Sequence, residues 1–283
     1  MVNQKFTRNE RMLLISQILF DQPGRVIPLT EFVDELKAAK STISEDLTIV
    51  KENLGKMGEG TLRTIPGKLG GVQYIPSLSR GKTAQVLNNL KERLTMPHRI
   101  IPGGYLYMSD IFSDPCIIKE VAKIFAGYFA DRQPDVVLTV ETKGILLAGF
   151  TAGFLSVPLA IARRNSRVTE GPVITINYVT GSGSKIQTMS LSTRAVPKGS
   201  RILLIDDFMK RGGTLKGLKA LTKEFDSEVA GMGVLLNQAQ PGEKLVSDYL
   251  SLGTLERIDE QEGEITLTMV DPTTLIPLNH RRC

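Results

Sequence analysis

The sequence predicts an α/β protein in two parts: a small helical head closed by a hairpin, then a larger body with a mostly parallel sheet. Three observations predict it. The chain has 283 residues, long for one domain and comfortable for two. Over the first 76 residues, apolar positions recur at helical spacing and then as two short strand patterns. Beyond them, β-branched runs such as Val136 to Val140 alternate with helical stretches, as in a parallel sheet covered on both faces.

Arg8 to Phe20 places Met12, Ile15 and Leu19 on one helical face, and Pro23-Gly24 ends the pattern. Thr30 is positioned to cap a second helix that turns Phe32, Val33 and Leu36 one way. Thr42 and Glu45 have capping-box spacing for a third. There Ile43, Leu47, Val50 and Leu54 form a buried stripe, leaving Ser41, Thr42, Ser44, Glu45, Thr48 and Lys51 on the opposite face. Strand patterns Thr61 to Ile65 and Gly71 to Ile75 flank the turn-rich Pro66-Gly67-Lys68-Leu69-Gly70.

Three helices and a hairpin in this order predict a winged helix-turn-helix over residues 1–76, with 77–81 a linker and 82–283 the body. Ser41, Thr42, Ser44, Thr48 and Lys51 would then reach DNA from the third helix, with Arg63 and Lys68 on the wing. The head holds ten Lys and Arg against nine Asp and Glu, so charge alone does not announce DNA. A plain polar face, or a protein-interaction module, stays open at this point. In the body, Leu159 to Ala162, Val173 to Val179, Arg201 to Ile205 and Val229 to Leu236 read as further buried strands, and Gly144 to Leu155 as a buried helix.

Composition removes several function classes. Hydrophobic residues make up 41% and charged residues 23%, the balance of a soluble globular chain. The longest apolar stretch is too short to cross a bilayer, and the first residues lack the apolar core of a secretory signal. Two cysteines, neither in a metal-binding spacing, and only two histidines leave little material for a zinc site or a Ser-His-Asp triad. A cytoplasmic protein without a metal centre is expected. The net charge of +5 suggests an anionic partner.

The chemistry concentrates in Ile202 to Thr214. An apolar strand ends in Asp206-Asp207, and a short loop with Gly212-Gly213 leads into a helix at Leu215 to Phe225. Paired glycines let the backbone approach a ligand, and the N–H groups at a helix start bind anions. Carboxylates accept hydrogen bonds from hydroxyls but repel phosphate, so the acids suit a ribose diol beside a phosphate loop. The segment lacks the Gly-Lys-Ser/Thr ending of a Walker A loop. From Arg163 to Arg211 nine basic residues face three acids, a field that would steer a polyphosphate.

This strand, acid pair and glycine loop resemble the phosphoribosyl pyrophosphate motif of type I phosphoribosyltransferases. With Ser41-Thr-Ile-Ser-Glu-Asp-Leu47, Ile101-Pro-Gly-Gly-Tyr105, Thr142-Lys-Gly-Ile145 and Lys185-Ile-Gln-Thr-Met-Ser-Leu191, the chain is similar to the purine operon repressor family of Gram-positive bacteria. The phrases cover all but about the last thirty residues. The resemblance implies a winged helix joined to a phosphoribosyltransferase-like domain, a homodimer, and repression of purine genes through operator DNA. It implies phosphoribosyl pyrophosphate (PRPP) as an effector that lowers operator affinity, with no required cofactor and Mg²⁺ as an optional companion.

By the same resemblance, Asp206 and Asp207 would hold the ribose hydroxyls, followed by Phe208 and Met209. Lys210, Arg211, Gly212, Gly213 and Thr214 would hold the 5′-phosphate, and Thr142, Lys143 and Gly144 the pyrophosphate. Tyr105 would form a wall, and Asn177 to Leu191, with Gly181, Gly183 and Lys185, a covering loop. Catalytic residues are not expected, since no base-binding hood is evident and Lys210-Arg211 stands where the enzymes prefer small residues. Two alternatives are an active purine phosphoribosyltransferase with a regulatory head, and a sensor of other nucleotides such as guanosine tetraphosphate (ppGpp).

Overall fold

The structure is a computed structural model that describes residues 6–67, 69–165, 168–179 and 186–275. Thr7 opens the first helix with a capping box: its hydroxyl accepts from the Glu10 N–H, and the Glu10 carboxylate accepts from the Thr7 N–H at 2.7 Å. Helix α1 (Arg8–Asp21), strand β1 (Val26–Ile27), helices α2 (Leu29–Leu36) and α3 (Lys40–Met57), and the hairpin β2 (Glu59–Ile65) and β3 (Gly71–Leu78) complete the head. Its sheet runs β1-β3-β2, and Ile15, Leu19, Phe32, Ile43, Leu47 and Leu54 meet in one core. The winged-helix expectation stands.

Two helix starts differ from the sequence reading. Pro28, extended and without an N–H to offer, sets the entry to α2, so Thr30 lies inside the first turn. Helix α3 starts at Lys40 because the Ile43 N–H already bonds the Ala39 carbonyl at 3.0 Å. Thr42 therefore sits within the helix and forms no box with Glu45.

The expected linker at 77–81 is occupied by regular structure. Strand β3 continues through Leu78, and the Ser79 hydroxyl then caps α4 (Arg80–Leu94) by accepting from the Lys82 N–H. Next come β4 (Ile100–Ile101), β5 (Tyr105–Leu106), α5 (Ser109–Ser113), α6 (Pro115–Phe129), β6 (Val136–Val140), α7 (Ile145–Leu155) and β7 (Leu159–Ala162). The chain continues through β8 (Val173–Val179), β9 (Ile186–Ser192), β10 (Arg201–Met209), α8 (Gly213–Glu224), β11 (Glu228–Gln238), β12 (Tyr249–Asp259) and β13 (Glu264–Met269).

The main sheet has the order β13-β12-β11-β10-β6-β7, parallel except for β13, so the mostly parallel α/β body is present. Helices α4 to α7 cover one face, and α8 with the β8–β9 ribbon covers the other. Alternation along β6 serves both: Val136, Leu138 and Val140 pack on the α8 side, Val137 on the opposite side. Strand β8, expected in the parallel sheet, pairs antiparallel with β9 in a separate ribbon. Its Thr175, Asn177 and Val179 are exposed, so this is a half-buried strand rather than a core one. Strands β12 and β13 add an edge that the sequence patterns did not announce.

From β6 the chain steps to β7 on one side and returns as β10 on the other. The C-terminal ends of β6 and β10 thus flank a topological switch point, where open α/β sheets bind ligands. The head is joined to this body without slack. Helix α6 packs on β3, and Gly127 permits it: a Cβ there would stand 2.8 Å from the Ser77 Cβ. Glu59 takes both Lys82 and Lys123, and Arg63 pairs with Asp131 at 2.6 Å. Among the described residues no helix is long and apolar enough to cross a membrane.

Candidate functional site

A cavity of about 800 Å³ opens at the switch point. Strand β10 delivers Asp206 and Asp207 to its floor, because the buried run Ile202 to Ile205 fixes the register of the two acids. Asp206 is 4% exposed, and the Asp207 N–H donates to its Oδ1 at 2.9 Å. Burial, reinforced by the neighbouring Asp207 charge, holds the Asp206 acid well above the usual carboxylate range. The floor therefore presents a buried acid and, beside it, a half-buried one, a pairing suited to a diol of two hydroxyls.

After β10 the loop turns sharply. Gly212 has φ +87°, a left-handed conformation that favours glycine, and caps α8. Residues 206 and 208–215 enclose a recess of about 140 Å³ at the helix start, where α8 presents its first N–H groups. Lys210 and Thr214 line both recess and main cavity; Met209, Arg211, Gly212 and Gly213 line the recess.

Thr142 and Lys143 form the opposite wall, after a cis peptide at Glu141–Thr142. Gly144 lets that loop close on the acids: a Cβ would lie 2.9 Å from Thr139 Oγ1 and 3.4 Å from the Asp207 nitrogen. Tyr105 stands at the rim on the β4–β5 hairpin, 65% exposed. Arg99 braces that hairpin from within, donating to both Asp110 carboxylate oxygens at 2.8 and 2.9 Å and to the Tyr107 carbonyl at 3.0 Å. The Arg99 guanidinium keeps the Asp110 carboxyl below its ordinary range.

Every residue expected to hold the effector is thus gathered at this one place. The sequence reading missed two groups. Glu141 accepts from the Arg164 N–H at 2.8 Å and pairs with Arg163 at 3.3 Å, which leaves the Arg164 side chain to face the cavity. An apolar wall of Leu106, Met108, Leu255 and Ile258, joined by the expected Phe208 and the Gln238 amide, closes the far side. Leu255 and Ile258 of that wall come from β12, which the sequence patterns did not announce.

The basic cluster is corrected by the structure. Arg163 is held by Glu141 and Glu170, Lys198 by Asp226 and Arg201 by Glu228; of the cluster, Arg164 and Lys210 line the main cavity and Arg211 the recess. Lys143 adds a fourth charge from the opposite wall. Arg167, Lys185, Gly181 and Gly183 lie outside the described residues. No group of three or more metal-ligating side chains occurs among the described residues.

In the head, Ser41, Ser44, Thr48 and Lys51 lie exposed along α3, with Thr42 half-buried beside them. The Ser44 and Thr48 hydroxyls donate back to the Lys40 and Ser44 carbonyls, both at 2.9 Å, and so turn acceptor lone pairs outward. Arg63, expected on the wing surface, is instead engaged by Asp131 of the body. Lys68 lies outside the described residues.

A winged helix carried on a type I phosphoribosyltransferase-like body, with its cavity at the switch point, defines a regulator built on an enzyme fold. Residues 7–76 match the family described as "Bacterial purine repressor, N-terminal", and residues 108–270 match the "Phosphoribosyl transferase domain". The chain belongs to the bacterial purine repressor family of transcriptional regulators. It is 46% identical over 263 residues to the "Purine biosynthesis transcriptional repressor PurR" of Bacillus subtilis, covering 93% of this chain and 92% of that one. It is 39% identical to the "Purine biosynthesis transcriptional activator PurR" of Lactococcus lactis, over 89% of this chain and 93% of the relative. A Lactococcus xanthine phosphoribosyltransferase matches at 30% over 55% of this chain and 81% of its own length. Adenine phosphoribosyltransferase from Thermoanaerobacter pseudethanolicus superposes with a TM-score of 0.51 at 20% identity, covering 59% of this chain and 98% of that one, which shows the fold alone. The two relatives that cover about nine-tenths of the chain are transcriptional regulators, and the chain is a phosphoribosyltransferase-like regulator of that family.

Proposed function

We propose that the chain represses purine-biosynthesis genes by holding operator DNA as a homodimer, and that PRPP in the switch-point cavity lowers its operator affinity. One observation carries the ligand assignment: the acid pair Asp206-Asp207 lies between a helix-start recess and a second loop carrying Lys143, with Arg164 alongside. Three separated chemistries match three parts of one molecule. The acids suit the ribose diol, the Lys210 to Thr214 recess suits the 5′-phosphate, and Thr142 to Gly144 with Arg164 suits the pyrophosphate. The polar face of α3 supplies the contacts to DNA.

A second reading is favoured by the apolar wall of Leu106, Phe208, Leu255 and Ile258, which leaves room for a nucleobase that PRPP lacks. A guanine nucleotide such as ppGpp would use that wall and compete for the same phosphate subsites. Titration of operator DNA with and without saturating PRPP tests the switch; PRPP is expected to weaken binding, and an unchanged affinity sinks it. Repeating the ligand titration with and without Mg²⁺, and then in competition with ppGpp, separates the ligands and shows whether a metal travels with them.

A further inference from the structure

Lys244 has no part in the sequence motif, yet it reaches under the phosphate loop. Its Nζ donates to the main-chain carbonyls of Lys210 at 2.7 Å and Pro241 at 2.8 Å, and also to those of Gln238 and Ala239. No ion pair with a carboxylate forms there among the described residues. A lysine on the surface normally lies in water or against an acid. Here an ammonium with three donors sits among neutral carbonyl dipoles, as a monovalent cation would. Removal from water lowers its pKa below the ordinary lysine value.

The consequence for the loop comes from peptide geometry. In a trans peptide the carbonyl and the next N–H point to opposite sides. The Lys210 carbonyl is turned down to Lys244, and the Arg211 carbonyl is turned down to the Leu245 N–H at 2.8 Å. The N–H groups of Arg211 and Gly212 are therefore directed to the other side of the loop. Gly212 presses the same segment from within, since a Cβ there would come 3.0 Å from Val246 Cγ2.

We propose that Lys244 is the positioning residue of the phosphate loop, its ammonium acting as a tethered cation in a carbonyl cage that aims the Arg211 and Gly212 N–H groups at a sugar 5′-phosphate. The inference rests on the phosphoribosyl reading of the cavity and deepens it. Lys244 lines neither the cavity nor the recess; it acts through the loop and adds an unneutralised positive charge beneath it.

The test uses the full chain and two probes, ribose 5-phosphate and inorganic pyrophosphate, by titration calorimetry. Lys244→Met keeps the stem and removes the charge. It is expected to weaken ribose 5-phosphate binding about tenfold, as loss of a charged hydrogen-bond hub would, and to leave pyrophosphate unaffected. Hydrogen exchange on the unliganded protein is expected to speed up at residues 210–214 and not along β6. Lys244→Ala leaves the cage empty, and replacing sodium by ammonium chloride is expected to restore most of the lost affinity.

Wild-type affinity in Lys244→Met, or equal loss of both probes, overturns the proposal. Failure of the wild type itself to bind ribose 5-phosphate overturns the phosphoribosyl reading instead. Should Lys244→Met fail to fold, the alanine variant decides: ammonium that restores ribose 5-phosphate binding supports the cage, and ammonium without effect overturns it.

Discussion

At the scale of single residues, the cavity is held at a cost. Asp206 is an acid buried beside another acid, and its carboxyl resists ionisation because of burial first and Asp207 second. An acid whose folded pKa is raised destabilises the fold as pH climbs through its unfolded value, around pH 4, toward the folded one. Asp206→Asn keeps the shape and removes that liability. It should raise the melting temperature at pH 7 by a few degrees, with the gain fading as pH falls toward 4, while PRPP binding is lost. A melting temperature at pH 7 equal to that of the wild type would mean that the acid is not buried as a neutral group. Operator affinity in this variant should stay within a few-fold of the wild type, because Asp206 lies in the body and α3 in the head.

At the scale of elements, each functional part is a loop or helix face fixed by a buried neighbour. Ile43, Leu47, Val50 and Leu54 anchor α3, and the same periodicity that buries them forces Ser44, Thr48 and Lys51 outward. Lys51→Ala should weaken operator binding and flatten its salt dependence by about one counterion, leaving PRPP affinity unchanged. Thr48→Ala should weaken binding with the salt slope intact, since a hydroxyl carries no charge. Both slopes are read from operator titrations across a salt series, and an unchanged slope in Lys51→Ala would remove that lysine from the phosphate contacts. What the sequence disclosed obeys the same division. The β10-loop-α8 unit was legible because strand, acids, glycines and helix are contiguous, and each has its own local signal. Arg164 and the apolar wall were not, because only the tertiary placement of β7 and β12 brings them to the acids. Lys244 was invisible for a related reason: its partners are main-chain carbonyls, which leave no trace in side-chain patterns. Thr42–Glu45 shows the reverse error, a local motif overruled because the helix starts at Lys40, where the Ile43 N–H already bonds the Ala39 carbonyl.

At the scale of the whole molecule, the proposed switch requires a ligand in the body to reach a helix in the head. Strand β3 passes into α4 through the single capping residue Ser79, so the two parts share a continuous chain with no flexible tether. Glu59 on β2 holds Lys82 of α4 and Lys123 of α6, and the Lys82 hydrogen bond keeps the Glu59 carboxyl below its usual range. Arg63 on β2 holds Asp131 just beyond α6. These half-exposed pairs are each worth roughly 1 kcal/mol or less, too little to decide whether the protein folds. They are well matched to biasing an equilibrium between two orientations of the head, where a few-fold effect is the whole signal. The double variant Glu59→Gln, Asp131→Asn removes both links and leaves cavity and α3 intact. PRPP affinity and operator affinity, measured separately, should each remain near wild type. The ratio of operator dissociation constants with and without PRPP should fall toward one. If the ratio stays at its wild-type value, the ligand acts on DNA through its own negative charge rather than through the head's attachment. That alternative would appear as a PRPP effect that shrinks steeply with added salt.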